Sequence, residues 1–250
     1  MRLLIRLKNQ DKSFTNDDKI NTNYYIQSFI YSLLKNTDFH LVHNYEKSRT
    51  RTPSFCYSNL FSSTNERTEN IRKLIISSPN EELIELLYQK LSKLDFVYLG
   101  KEPYKILEYD IFTLNYRDVK HILTSTPVII RIPRSKLEDY SININKQYQY
   151  IYWRQSFPLE IFLKQLENNL RRKFYNYYGI HTNSSLNFEW FVFKKQVSTR
   201  LLIHKTSHII IGTVWEFFVD QAKDKELFNF GIDAGFGERN TMGFGFINPI

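Results

Sequence analysis

The sequence predicts an α+β protein in which strand, helix, two strands, helix and strand follow one another twice. Apolar residues recur at helical spacing in several segments, and the segments between them alternate or are rich in β-branched and aromatic residues. Both halves of the 250-residue chain show this order, with no low-complexity linker between them. The order is ferredoxin-like (βαββαβ), so we expect two tandem ferredoxin-like domains, residues 1–124 and 125–250, the second with a glycine-rich loop.

The first half begins with an alternating segment at residues 2–8, which predicts a strand. SFCYSNLF (54–61) and IRKLIISS (71–78) predict two more strands, after a loop at 46–53. Between the first strand and that loop lies an amphipathic helix, because apolar residues stand at i, i+3, i+4, i+7 and i+8: Ile26, Phe29, Ile30, Leu33 and Leu34.

A second helix is predicted at NEELIELLYQKLSKL, residues 80–94. Asn80 or Ser78 can cap its first turn, and the acidic residues that follow favour a helix N-terminus. Extended segments at 96–114 and 118–123 complete the first half.

The second half is predicted to be built around a long helix at 158–175. Its apolar stripe consists of Leu159, Phe162, Leu163, Leu166, Leu170 and Phe174. The other predicted elements are strands at 125–133 and 148–153, a hairpin from 185–193 and 199–219, a short helix at 223–235 and a closing strand at 243–247.

Composition and charge limit the possible functions. The chain carries a formal net charge of +8, which favours an acidic partner such as nucleic acid. Cys56 is the single cysteine, so neither an intrachain disulfide nor a thiolate metal cluster can form. The opening MRLLIRLKNQ lacks the apolar core of a signal peptide, and no apolar run is long enough for a membrane span. We therefore expect a cytoplasmic protein.

GFGERNTMGFG, residues 235–245, concentrates four of the eight glycines of the chain. A nucleotide phosphate, an RNA backbone or a tight turn could each require such a cluster. The dinucleotide motif is excluded because Asn240 replaces its third glycine, and the P-loop ending G-K-[ST] is missing. An RNA-phosphate cradle and a turn without ligand remain.

If the loop binds RNA, its contacts are expected from exposed backbone amides and a neighbouring guanidinium. A valine in place of a loop glycine should then weaken RNA binding and leave the protein folded, whereas a plain turn should lose stability. The candidate RNA-binding residues in the loop are Gly235, Gly237, Arg239, Asn240, Gly243 and Gly245.

The segment GIDAGFGERNTMGFGFI resembles the ending of the CRISPR-associated repeat-processing endoribonucleases, the Cas six type of the RAMP superfamily. The strand MRLLIRL, the helix YYIQSFIYSLL and the segment HNYEKSRTRTPSFCYSNLF are also spaced much as in that family. The resemblance implies two ferredoxin-like domains and a partner, CRISPR repeat RNA, that is cleaved without a metal or other cofactor. In such a reaction the ribose 2′-OH attacks the adjacent phosphorus and leaves a 2′,3′-cyclic phosphate and a 5′-OH.

The resemblance also implies catalytic residues. Tyr31 falls on the helix position of the family's tyrosine, and His43 is preferred over His40 for its histidine. Lys47 takes the place of the lysine, although the loop length differs from the family pattern. Arg49 and Arg51 are its possible substitutes and further RNA-binding residues.

Other interpretations of these residues stay open. The chain could be a non-catalytic CRISPR RNA-binding protein, held in an effector complex, or a module for another RNA, although the aromatic RNP motif of RRM domains is missing. Homodimerisation is open as well. Tyr31 alone could be a core aromatic residue. The basic residues at 171–173 and 194–195 are interpreted as solvated surfaces, although either group could contact phosphates. His204 and His208 are interpreted as structural residues of a strand.

Overall fold

The computed structural model describes residues 1–10, 22–39, 54–63, 65–66, 70–117, 119–143, 148–203, 206–220 and 224–250. The predicted α+β class is confirmed: helices pack on two antiparallel sheets, each with its own apolar core. No helix within these ranges is both long enough and apolar enough to cross a membrane.

The first half forms a five-stranded sheet with two helices. Its elements are β1 (Arg2–Asn9), α1 (Thr22–Leu34), β2 (Cys56–Tyr57), β3 (Ile71–Ser77), α2 (Glu81–Leu91), β4 (Phe96–Leu99) and β5 (Glu102–Phe112). The strand order is β2-β3-β1-β5-β4, and all neighbours are antiparallel. This is the ferredoxin-like order with β5 as the fourth strand and β4 added at the edge, so the predicted extended segment at 96–114 is a hairpin.

Local sequence explains both helices of this half. All five apolar residues of the α1 pattern are buried, since they share the face that packs on the sheet. Asn80 caps α2 by accepting a hydrogen bond from the Leu83 amide at 3.2 Å, while Ser78 Oγ accepts from the Asn80 amide.

The second half repeats the topology. Its elements are β6 (His121–Thr124), β7 (Arg131–Pro133), β8 (Tyr150–Tyr152), α3 (Leu159–Tyr178), β9 (Phe188–Ile203), β10 (Thr206–Val219), α4 (Glu226–Ala234) and β11 (Ile247–Pro249). Its main sheet has the order β11-β6-β10-β9, and β7 and β8 form a separate hairpin inserted before α3. Two ferredoxin-like domains fit this pair of topologies.

The sheets divide the chain earlier than the predicted boundary of 124/125. β6 pairs with β10 and β11, so it is the first strand of the second sheet. A boundary after residue 124 would remove this strand from its hydrogen-bonded neighbours. We therefore propose that the two domains meet in the segment 113–120.

Several predicted strands are shorter in the structure. Within 54–61 only Cys56 and Tyr57 form a strand, with an isolated bridge from Phe61 to Lys73, and within 125–133 only β7 and a bridge at Val128 are formed. The closing strand begins at Ile247 and not at residue 243, because Gly243 and Gly245 have positive φ angles that no strand allows.

Two buried charged side chains join the halves. The Arg2 guanidinium donates to Ile247 O at 2.9 Å and to Asn248 Oδ1 at 3.1 Å, and it lies 4.9 Å from the Phe246 ring centroid. Asp233, on α4, accepts from the Met1 amino group and from Ser77 Oγ of the first half. These contacts place the end of α4, and the loop that follows it, against the first sheet.

Candidate nucleic-acid interface

The glycine loop, residues 235–245, starts where α4 ends. Its four glycines have φ angles between +66° and +83°, and Arg239 is also left-handed at +60°. A short 3₁₀ turn, Asn240–Met242, occupies the tip. Such a series of positive φ angles explains why glycine is concentrated here.

All four loop glycines are buried and face protein atoms. A Cβ would lie 2.5 Å from Asn240 Nδ2 at Gly235, 2.5 Å from Ile129 O at Gly237, 2.6 Å from Tyr57 Cε2 at Gly243 and 1.8 Å from Phe236 O at Gly245. The space that the missing side chains leave is therefore filled by other atoms of the protein and not by a ligand. The expectation that valine at these positions would leave the protein folded is wrong, because the added side chain has no space.

Asn240 holds the loop closed from inside. Its Nδ2 donates to Phe236 O and Phe244 O, both at 3.0 Å, and its Oδ1 accepts from Lys173 Nζ at 3.0 Å. The side chain is buried and its amide is fully engaged. Any RNA contact of Asn240 must therefore come from its backbone.

Lys173, on α3, inserts its ammonium group into the same loop. Besides Asn240 Oδ1, it donates to Gly237 O at 3.1 Å and to Gly235 O. Burial lowers the pKa of Lys173 to about 7, and the three oxygen acceptors stabilise the charged form against that shift. The interpretation of residues 171–173 as a solvated surface is thus wrong for Lys173.

We expect Lys173→Met to lower the free energy of unfolding by about 2 kcal/mol, because it leaves three buried oxygens without their donor. Chemical denaturation monitored by circular dichroism measures the change. Lys164→Met is the matched control, since Lys164 is exposed on the same helix and its loss should stay within about 0.5 kcal/mol of wild type. Equal stability of the two variants would contradict the role of Lys173 in closing the loop.

Arg239 lies at the tip of the loop beside aromatic residues of the β7–β8 hairpin. Its Nη1 contacts Met242 Sδ at 3.7 Å, and among the described residues its Nε has no hydrogen-bond partner. The hydrogen bond with Tyr152 lowers the pKa of Tyr150, and the charges of Arg131 and Arg239 add to this effect. Arg131 itself lies 4.5 Å from the Tyr150 ring centroid. Arg131 is ion-paired with Glu238 of the loop, so the loop tip presents the Arg239 guanidinium beside aromatic rings of the hairpin.

Tyr31, on α1, reaches the glycine loop from the first half. It is half-buried, packs edge to face on Phe55 at 5.9 Å, and its hydroxyl lies near the side chain of Thr241. Burial raises the pKa of Tyr31, and the Thr241 side chain opposes part of the rise. The hydroxyl is therefore protonated at neutral pH and can donate a hydrogen bond.

Thr241 was not singled out in the sequence, although it lies within the glycine motif. Nothing in its local pattern separates it from the other polar residues of the loop. Only the packing of the two halves brings it to Tyr31.

The other predicted site residues, His40, His43, Lys47, Arg49 and Arg51, lie outside the described residues, as does the loop expected at 46–53. The chain is described up to Phe39, which packs against the core of the first half, and again from Ser54, next to Phe55.

The described histidines are elsewhere. His121 Nε2 lies 2.6 Å from Glu216 Oε1 on the second sheet, and His181 stacks on Tyr175 at 4.4 Å. His208 is exposed on β10, and His204 lies outside the described residues. In the described ranges, no three His, Cys, Asp or Glu side chains are grouped closely enough to hold a metal ion.

Comparison with known proteins assigns the family. The family model described as CRISPR associated protein Cas6, C-terminal, matches residues 115–249, more than half of the chain. A CRISPR-associated endoribonuclease Cas6 2 of Methanocaldococcus jannaschii is 30% identical, and the alignment covers 100% of both chains. The chain belongs to the Cas6 family. The family model begins inside the segment 113–120, in agreement with the boundary that the sheets suggest.

Solved structures agree with the Cas6 fold. A structure of a Cas6-related protein from Pyrococcus furiosus has a TM-score of 0.72 at 18% identity, covering 100% of this chain and 98% of that one. A RAMP protein described as binding different RNA substrates has a TM-score of 0.68 at 17% identity, covering 100% and 99%. This Cas6 chain therefore shares its fold with these proteins, and Tyr31 and the glycine loop are parts of that fold.

Proposed function

We propose that this chain is an endoribonuclease that cleaves precursor CRISPR RNA within its repeats. The observation that carries the reaction class is the full-length similarity to a relative named a CRISPR-associated endoribonuclease. The net charge of +8 supports an RNA substrate. Since that RNA is intracellular, the proposed location is the cytoplasm.

The proposed reaction is a transesterification. The 2′-OH loses its proton to a base and attacks the adjacent phosphorus; the bond from phosphorus to the 5′ oxygen breaks, and an acid protonates that oxygen. The products are a 2′,3′-cyclic phosphate and a 5′-OH. The reaction requires no metal ion, provided that protein groups transfer the protons and stabilise the phosphorane.

We assign these tasks to Tyr31, His43 and Lys47. Tyr31 donates a hydrogen bond at the reacting phosphate, His43 transfers the proton, and Lys47 stabilises the added negative charge. Arg239 and the half-buried tip of the glycine loop, together with Arg49 and Arg51, position the RNA backbone. The contact between Tyr31 and Thr241 supports this arrangement, because it joins the proposed catalytic helix to the proposed RNA-binding loop.

The function is tested by incubating the protein with precursor repeat RNA in excess EDTA and identifying the product ends. We expect cleavage to persist and to give a cyclic phosphate on one product and a 5′-OH on the other. Binding without cleavage would contradict the proposed endoribonuclease activity and favour a non-catalytic RNA-binding protein. Size-exclusion chromatography of the same mixture distinguishes a monomer from a homodimer on the RNA.

We expect Tyr31→Phe to slow single-turnover cleavage about tenfold, the effect of losing one hydrogen bond of about 1.4 kcal/mol in the transition state. The ring contact with Phe55 is retained, so the unfolding midpoint should change little. The matched control is Tyr24→Phe, because Tyr24 is exposed on the same helix. A rate equal to wild type would remove Tyr31 from the site, whereas a fall in stability alone would make it a core aromatic residue.

A further inference from the structure

Three rings lie side by side across the second sheet. Phe218 on β10 is directly opposite His121 on β6 and directly opposite Trp190 on β9. The His121 and Phe218 rings stack at 4.0 Å with an interplanar angle of 14°, and Trp190 is 4.9 Å from Phe218. We call these three residues the ring ladder.

The ring ladder is on the open face of the sheet. The neighbouring residue Phe217 points to the other face and is fully buried, as is Trp215, whose ring packs 4.5 Å from Phe162 of α3. Trp190, in contrast, is 55% exposed and stands on β9, the edge strand. The helices thus cover one face of the sheet and leave the ladder accessible.

Charges of both signs lie beside the ladder, since Glu189, immediately before Trp190, is exposed. Glu216 lies two residues before Phe218, and its Oε1 is 2.6 Å from His121 Nε2. Its other oxygen forms an ion pair with Lys194, which lies at an irregularity in the β9–β10 pairing and has no partner residue there. The Glu216 carboxylate is therefore ion-paired with Lys194 and hydrogen-bonded to His121. Lys120, immediately before His121, is exposed.

We propose that the ring ladder binds single-stranded RNA by stacking of unpaired bases, a second RNA-contacting surface besides the Tyr31 and glycine-loop site. Every nucleobase has a π-face, so aromatic side chains hold single strands with little sequence preference, while nearby lysines contact the phosphates. Trp190 offers the largest accessible ring, and a base can stack on its free face. The His121 and Phe218 rings cover each other and support the Trp190 ring from the side. The choice of RNA as occupant rests on the proposed function and on the net charge of +8.

The chain contains its own reporter for this surface. Trp153 and Trp215 are 4% and 2% exposed, whereas Trp190 is 55% exposed, so quenching of fluorescence by an added strand reports on Trp190. The probe is an oligoadenylate of about twelve nucleotides, and the control is an RNA duplex of the same length, in which every base is paired. We expect the single strand to quench the emission and the duplex to quench it much less.

Variants test whether the ring itself binds. Trp190→Ala should weaken oligoadenylate binding roughly 5- to 150-fold, the range for the loss of one stacked base, and Trp190→Phe should retain part of the affinity. Tyr98→Ala is the matched control, because Tyr98 is 66% exposed on β4 of the first sheet, and it should bind as wild type. Affinity is measured by anisotropy of a labelled strand, which does not depend on tryptophan.

Failure of this inference and failure of the proposed function are distinguishable, because repeat cleavage is measured on the same proteins. In one outcome the protein cleaves repeat RNA, but oligoadenylate does not quench the emission and Trp190→Ala keeps its affinity. This outcome overturns RNA binding by the ring ladder alone, and the exposed rings would then contact a different partner. Quenching and a Trp190-dependent affinity without repeat cleavage support the ladder and overturn the enzyme.

Discussion

Replacing Gly245 with alanine should lower the free energy of unfolding by about 3 kcal/mol or more. Two effects add. The φ angle of +71° costs a residue with a Cβ about 1–2 kcal/mol, and that Cβ would lie 1.8 Å from Phe236 O. The backbone cannot move away freely, because the Phe236 amide donates to Gly245 O at 2.8 Å and the Gly245 amide to Pro127 O at 2.9 Å. Urea unfolding followed by circular dichroism measures the change.

Gly179→Ala separates the two effects. Gly179 has a similar φ of +75° at the end of α3, but a Cβ there would meet nothing within 4 Å. Its substitution should cost only the conformational part, about 1–2 kcal/mol. If Gly245→Ala were no more destabilising than Gly179→Ala and instead weakened RNA binding, the glycine would face the ligand and not the protein.

Replacing His43 with alanine should slow single-turnover cleavage roughly 100-fold or more, the usual contribution of one general acid or base. The 2′-OH is a weak nucleophile while protonated, so its attack needs a group that exchanges protons near neutral pH, as imidazole does. Tyr31 is poorly suited to this exchange, because burial raises its pKa further above neutrality. RNA affinity should change little, since a proton-transfer group acts mainly in the transition state.

Two histidine variants serve as controls. His40→Ala should cost much less than His43→Ala, and His181→Ala should cleave as wild type because His181 stacks on Tyr175 at the surface. The reverse order of His40 and His43 would move the proton-transfer role to His40 and leave the reaction unchanged. Full activity of both His40→Ala and His43→Ala would remove histidine from the proposed mechanism.

The parts of the fold that could be predicted are those that leave a periodic pattern in the sequence. The five apolar residues of α1 are all buried, and Asn80 caps α2 as its position before two acidic residues indicates. Strand partners leave no such pattern. β6 was therefore assigned to the first half, although hydrogen bonds to β10 and β11 place it in the second sheet.

The candidate site was predictable in outline and not in its internal contacts. The concentration of glycine at 235–245 indicated unusual backbone angles, and these are present. Whether a close neighbour is ligand or protein cannot be read from glycine itself, and here the neighbours are Ile129, Tyr57 and Phe236. Lys173 resembled a solvated lysine because it follows two arginines, yet its ammonium group is enclosed by loop oxygens 62 to 67 positions away.

The central claim is that the ribose 2′-OH of precursor repeat RNA is the nucleophile. Its most direct test is single-turnover cleavage, in EDTA, of a repeat RNA and of the same strand with a 2′-deoxy nucleotide immediately before the cut. We expect the RNA to be cut to a 2′,3′-cyclic phosphate and the deoxy strand to be bound with nearly the same affinity and left intact. Cleavage of the deoxy strand at the same position would contradict the claim.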